Sequence, residues 1–164
     1  DFDYVKTMVY APDAIETAKK LIAQGADIVT DTNMALAGIN KRALARHGGE
    51  AHCFMADEKV AALAKKRGVT RAIVSMEFAA QLSKPVIFAV GNAPTALSRL
   101  YEMMTGGEFR PAFVIGVPVG FVNVEAAKEL ILKTDVPYII NRGRKGGSNV
   151  AAAICNALLY ELGR

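Results

Sequence analysis

The sequence predicts an α/β domain, three-layered (α/β/α) and Rossmann-like, around a five-stranded parallel sheet. Three observations predict it. Five short apolar runs show little polar alternation, as strands buried on both faces do. Longer stretches of helical character separate them, which calls for right-handed crossovers. A chain of 164 residues with 52% hydrophobic content has enough apolar surface for a core and room for one domain, here residues 1–164.

The strands are expected at 27–30, 51–54, 86–90, 112–116 and 137–140, each four or five residues long and mostly Val, Ile, Phe or Ala. Helices are expected at 12–24, 41–46, 58–66, 72–82, 94–104, 124–133 and 148–161. The first has Pro12 early in its first turn and Gly25 as its stop. The sixth places apolar residues at 126, 127, 130 and 131, an amphipathic stripe. No repeat, low-complexity tract or Pro/Ser-rich linker interrupts the pattern.

Composition excludes several function classes. Twenty basic against 16 acidic side chains leave a net charge of +4, which suits an anionic small molecule and is too scattered for nucleic acid. No apolar run reaches the ~18 residues of a membrane helix, because the longest is broken by Gly116, Pro118 and Gly120. Cys53 and Cys155 form neither a disulfide framework nor a zinc pattern, so a reducing cytoplasm is the expected location. The opening Asp1-Phe2-Asp3-Tyr4 is no signal peptide and has no initiator methionine; a piece of a longer protein is expected.

In open parallel sheets ligands bind beyond the carboxyl ends of the strands, so the segments that follow each strand are the candidate site. Gly91-Asn92-Ala93-Pro94-Thr95 runs from a strand straight into a helix, with Pro94 at the first helical position. Its amides and those of the following turn suit a carboxylate or phosphate, and a tight turn needing small residues fits equally well. Arg142-Gly143-Arg144-Lys145-Gly146-Gly147-Ser148 sets three cations among three glycines, with Ser148 as a cap for the helix behind. Guanidinium forks and mobile backbone suit anion capture; the alternative is a solvated basic loop. Neither Gly-x-x-x-x-Gly-Lys-Ser/Thr nor Gly-x-Gly-x-x-Gly occurs. His47 and His52 lack metal-ligand spacing and read as structural; no metal site is expected. Asp27, Asp31 and Asp57 stand near element ends, where capping is the usual role.

Four segments taken together carry a resemblance. Asp31-Thr32-Asn33-Met34 with Gly38-Ile39, Val90-Gly91-Asn92-Ala93-Pro94-Thr95-Ala96-Leu97, Gly116-Val117-Pro118-Val119-Gly120-Phe121-Val122 and Arg142 to Ser148 resemble, in order, the motifs of the precorrin-8X / cobalt-precorrin-8 methylmutase family of corrin biosynthesis. The resemblance implies an isomerase without an added cofactor that moves a methyl group from C11 to C12 of the macrocycle by a 1,5-sigmatropic shift. The product is hydrogenobyrinic acid or its cobalt-bearing counterpart. A concerted shift needs no nucleophile; it needs a ring held in reactive shape and one positioned acid.

That acid, by the resemblance, is a histidine upstream of Asp1, so no catalytic residue is expected within this chain, and isolated 1–164 is expected to turn over poorly. The implied substrate contacts are Thr32, Asn33, Met34, Gly38, Asn40, Arg71, Gly91, Asn92, Ala93, Pro94, Thr95, Gly116, Pro118, Gly120, Phe121, Arg142, Gly143, Arg144, Gly146, Gly147 and Ser148. Arg71 matches an active-site arginine of the family and Asn40 a polar pocket position. The resemblance also implies a homodimer with sites near the interface. The alternatives are a non-catalytic corrinoid-binding protein and a Rossmann-type nucleotide-binding enzyme using Gly143 to Ser148 as a phosphate loop.

Overall fold

The computed structural model describes residues 1–163. The elements, in chain order, are α1 (Asp3–Thr7), β1 (Met8–Tyr10), α2 (Ala14–Ala23), β2 (Asp27–Thr30), α3 (Asn33–Gly38), α4 (Lys41–Ala45), β3 (Ala51–Cys53), α5 (Glu58–Arg67), α6 (Arg71–Ala79), β4 (Val86–Val90), α7 (Pro94–Thr105), β5 (Phe113–Gly116), α8 (Val124–Leu132), β6 (Tyr138–Asn141) and α9 (Ser148–Leu162).

They build one mixed sheet in the order β1-β6-β5-β4-β2-β3. The five expected strands all pair in parallel. A sixth, β1, adds antiparallel to β6, with Val9 opposite Ile140. The five-stranded, all-parallel expectation is corrected accordingly. β1 has only three residues, Met-Val-Tyr, none of them fully buried, so no apolar run announces it.

Strand pleating sends alternate side chains to opposite faces. Ile28, Ile87, Phe113, Ile115 and Ile139 meet α2 and α9 through Ala18, Ile22, Ala151, Cys155 and Leu158. Val29, Phe88, Val90, Val114 and Ile140 meet α6, α7 and α8 through Met76, Leu97, Leu100 and Ile131. Every residue of β2, β4 and β5 is buried, which accounts for their unalternating sequences.

Several elements differ in extent from expectation, and α1 was not expected at all; three differences fall at helix starts. Residues 33–38, expected as loop, form α3, because Thr32 Oγ1 accepts the Ala35 N–H at 3.0 Å and starts a helical turn. α2 starts at Ala14, after Asp13 in left-handed conformation (φ 56°), so Pro12 lies ahead of the helix. Thr70 caps α6, whose first residue is Arg71.

Within the parallel strands, β2 is followed outward on one side by β3 and on the other by β4, β5 and β6. The connection direction reverses between β2 and β4, and the crevice at such a reversal is where doubly wound sheets place ligands.

Candidate functional site at the carboxyl edge of the sheet

Asp31 immediately follows β2, inside that crevice, and is fully buried. Its carboxylate reaches across to the turn between β4 and α7. Oδ1 accepts the Gly91 N–H at 2.9 Å; Oδ2 accepts those of Asn92 at 2.9 Å and Ala93 at 2.6 Å. Pro94 occupies the first turn of α7, as expected, and Ala93 as N-cap has no side chain to cap it. Asp31 thereby holds, from a distant part of the chain, the turn that leads into α7. Burial pushes its carboxyl above the ordinary range, and the three backbone donors oppose that shift. The expectation that the Gly91, Asn92 and Ala93 amides face a substrate anion is therefore corrected: they are committed within the protein.

The loop after β6 closes onto the same place. A Cβ on Gly91 would stand 2.7 Å from the Gly147 carbonyl oxygen and from Ser148 N and Cα, so only glycine permits this approach. A Cβ on Gly146 would stand 1.9 Å from the Val117 carbonyl oxygen. The Gly147 N–H donates to that oxygen at 2.9 Å, and the Gly120 N–H donates to the Arg144 carbonyl at 3.1 Å. Thr32 Oγ1 and Ser148 Oγ lie 2.7 Å apart. Ser148 accordingly pairs with Thr32, and Gly147 is the N-cap of α9, which corrects the expected capping role of Ser148. Segments following β2, β4, β5 and β6 thus pack together at one edge.

Around this closed floor lies an exposed rim. Met34, Phe121 and Val122 are 72%, 83% and 76% exposed. The Arg144 guanidinium sits 5.5 Å from the centre of the Phe121 ring. Thr70 Oγ1 and Thr95 Oγ1 lie 3.2 Å apart, so the start of α6, with exposed Arg71, adjoins the start of α7. Among the described residues Arg71 forms no ion pair. Arg142 and Arg144 do: their Nε atoms lie 3.2 Å from Glu129 and 3.4 Å from Glu125, both exposed pairs that a polyanion can displace.

Behind the basic loop, the buried Lys128 of α8 donates to the Gly143 carbonyl at 2.7 Å and the Lys145 carbonyl at 3.1 Å. Asn141 Nδ2 donates to the Lys145 carbonyl as well, at 2.9 Å. Burial lowers the Lys128 pKa from 10.5 to about 8, with Glu125 opposing. Lys145 bonds Asp1 at 2.7 Å and Asp3 at 2.5 Å, which fixes the start of the chain against this loop.

Several expected contacts lie elsewhere. Asn40 caps α4 through the Ala43 N–H at 3.0 Å and lines a cavity of about 650 Å³ between α4 and α9, with Arg46, Asn156 and Tyr160. Gly38 lets α3 approach α9, since its Cβ would stand 2.9 Å from Ala152 Cβ. Gly116 and Pro118 are buried. His52 contacts Asp27 at 3.1 Å, beside the first residue of β2, in keeping with a structural histidine. Among the described residues no cluster of His, Cys, Asp and Glu suits a metal ion. Asp57 caps α5 as expected, through the Lys59 and Val60 amides. Sequence reading missed Asp31 and Lys128 as organisers of the site. A carboxylate directly after the short Asp-Ile-Val-Thr strand was the available signal for the first; an amphipathic helix position conceals the second.

Comparisons with known proteins complete the site's context. The profile of the precorrin-8X methylmutase family matches residues 1–161. A cobalt-precorrin-8 methylmutase of Salmonella typhimurium is 45% identical over 163 residues, covering 99% of this chain and 76% of the relative. Its counterpart in Priestia megaterium is 44% identical over 158 residues, covering 96% and 70%. The solved precorrin-8x methyl mutase of Thermus thermophilus superposes with a TM-score of 0.88 at 38% identity, covering 98% of this chain and 78% of the other.

Proposed function

The chain belongs to the precorrin-8X methylmutase family, and from that premise we propose how its own residues serve the reaction. The reaction is an intramolecular methyl transfer on precorrin-8X or cobalt-precorrin-8 in cobalamin biosynthesis. A migrating methyl group never leaves the ring system, so the protein's task is to hold a flat polyanion in one shape and adjust its charge.

The observation that carries the reading is the meeting of the segments after β2, β4, β5 and β6, with the Thr32–Ser148 contact at its centre. We propose that the macrocycle lies across this floor, its faces against Met34 and Phe121. Arg71, Arg142 and Arg144 take its peripheral carboxylates, the latter two by exchanging Glu129 and Glu125 for substrate. Thr32, Asn33, Asn92 and Thr95 supply polar contacts at the rim. Gly91, Gly146 and Gly147 serve by letting the floor close. Lys145 holds Asp1 and Asp3 at the same edge through two ion pairs.

The finer description of the fold as three-layered and Rossmann-like, a cytoplasmic location and a homodimer belong to the same proposal. Helix α9 supports the dimer: Ala153, Ala157 and Tyr160 face outward between two cavities, one against α4 and one against α2. No helix of the described residues is long and apolar enough to cross a membrane.

Absorbance titration tests the reading. Saturable binding of hydrogenobyrinic acid with no response to NAD(P) or ATP supports it. Nucleotide binding without corrinoid binding overturns it.

A further inference from the structure

In a doubly wound sheet with this strand order, the crevice between β2 and β4 is where a ligand phosphate ordinarily meets the free amides at a helix start. Here protein atoms occupy the turn that leads from β4 into that helix. The Asp31 carboxylate accepts the Gly91, Asn92 and Ala93 amides, at 2.9, 2.9 and 2.6 Å. The Gly147–Ser148 backbone covers Gly91 so closely that a Cβ there would meet it at 2.7 Å. A ligand anion would have to displace a carboxylate already holding three donors, and would arrive as a like charge at contact distance.

We infer that Asp31 is a built-in anion that determines specificity at this edge: its carboxylate holds the place of a ligand phosphate on the amides of the β4–α7 turn. That closes the crevice to phosphates and nucleotides and leaves anionic ligands to the cations of the rim. Two oxygens serving three amides also fix the turn that carries Asn92 and Thr95, so Asp31 is a positioning residue for the floor. The inference is independent of the corrin reading, since it concerns inorganic anions and backbone amides alone.

The test uses inorganic phosphate and formate, with chloride at matched ionic strength as control. In the unaltered chain, the amide resonances of Gly91, Asn92 and Ala93 are expected to ignore millimolar phosphate; if they follow it, the inference falls, and this arm needs no variant to fold. Asp31→Ala leaves three amides facing a carboxylate-sized void and lowers the thermal midpoint by about 5 °C. Formate or phosphate then restores about half of that loss or more, by binding only the folded form. A variant that responds to these anions no more than to chloride overturns the inference. The unaltered chain should show no such stabilisation.

Discussion

Thr32 and Ser148 stand 116 positions apart in the chain, yet their hydroxyl oxygens lie 2.7 Å apart. One belongs to the turn after β2, the other opens α9, and each is held by its own backbone. Replacing Thr32 by Val, Ser148 by Ala, and both together should reveal a coupling of about 1 kcal/mol in a double-mutant cycle read by urea unfolding. Strict additivity would mean that the contact contributes nothing to closing the floor.

Arg71 stands exposed at the start of α6 without an ion-pair partner among the described residues. Arg71→Glu should raise the dissociation constant for hydrogenobyrinic acid by at least a factor of about ten, or about 1.4 kcal/mol. Lys20→Glu, on the exposed side of α2, serves as the control for net charge and should leave affinity unchanged. Equal affinity for both variants removes Arg71 from the site.

Gly91 and Gly146 test how tightly the floor is packed. Gly146→Ala forces a methyl group against the Val117 carbonyl, and Gly91→Ala forces one against the backbone at 147–148. Neither backbone can rotate away as a side chain would. Each change should destabilise by about 1–3 kcal/mol or more and weaken corrinoid binding in parallel. Gly143→Ala makes a useful contrast, because nothing lies within 4 Å of its Cβ direction, although its φ of +87° still adds local strain.

Lys128 makes the stability of the basic loop depend on pH. Its native pKa of about 8 lies below the ordinary 10.5, so the folded chain holds this proton less tightly than the unfolded one. Stability from this group therefore rises as pH climbs from 8 toward 10.5 and is flat below that window. In Lys128→Met the rise disappears, and at neutral pH the Gly143 carbonyl loses its donor at a cost of about 1–2 kcal/mol. Urea midpoints of both proteins at neutral and alkaline pH measure the difference.

How much of this was legible in the sequence depends on the range of the interaction concerned. Val86–Val90 and Phe113–Gly116 were readable as strands because burial on both faces imposes an apolar run that no solvent-facing element shares. Met8–Tyr10 was not, because its place depends on a partner 130 residues away and on backbone pairing that few side chains record. The convergence of the loops was legible from strand–helix alternation, since parallel crossovers put all carboxyl ends on one edge. Which amides remained available there was not. Asp31 and Gly91 are 60 positions apart, and local reading sees only a helix start with a proline and an aspartate near a strand end.

Both outer strands of the sheet, β1 and β3, are three residues long. A foreign strand that tried to continue the ladder would find only a few backbone groups to pair with on either flank, too little to repay the ordering of its chain. Lateral growth into fibrils is thus discouraged at both borders.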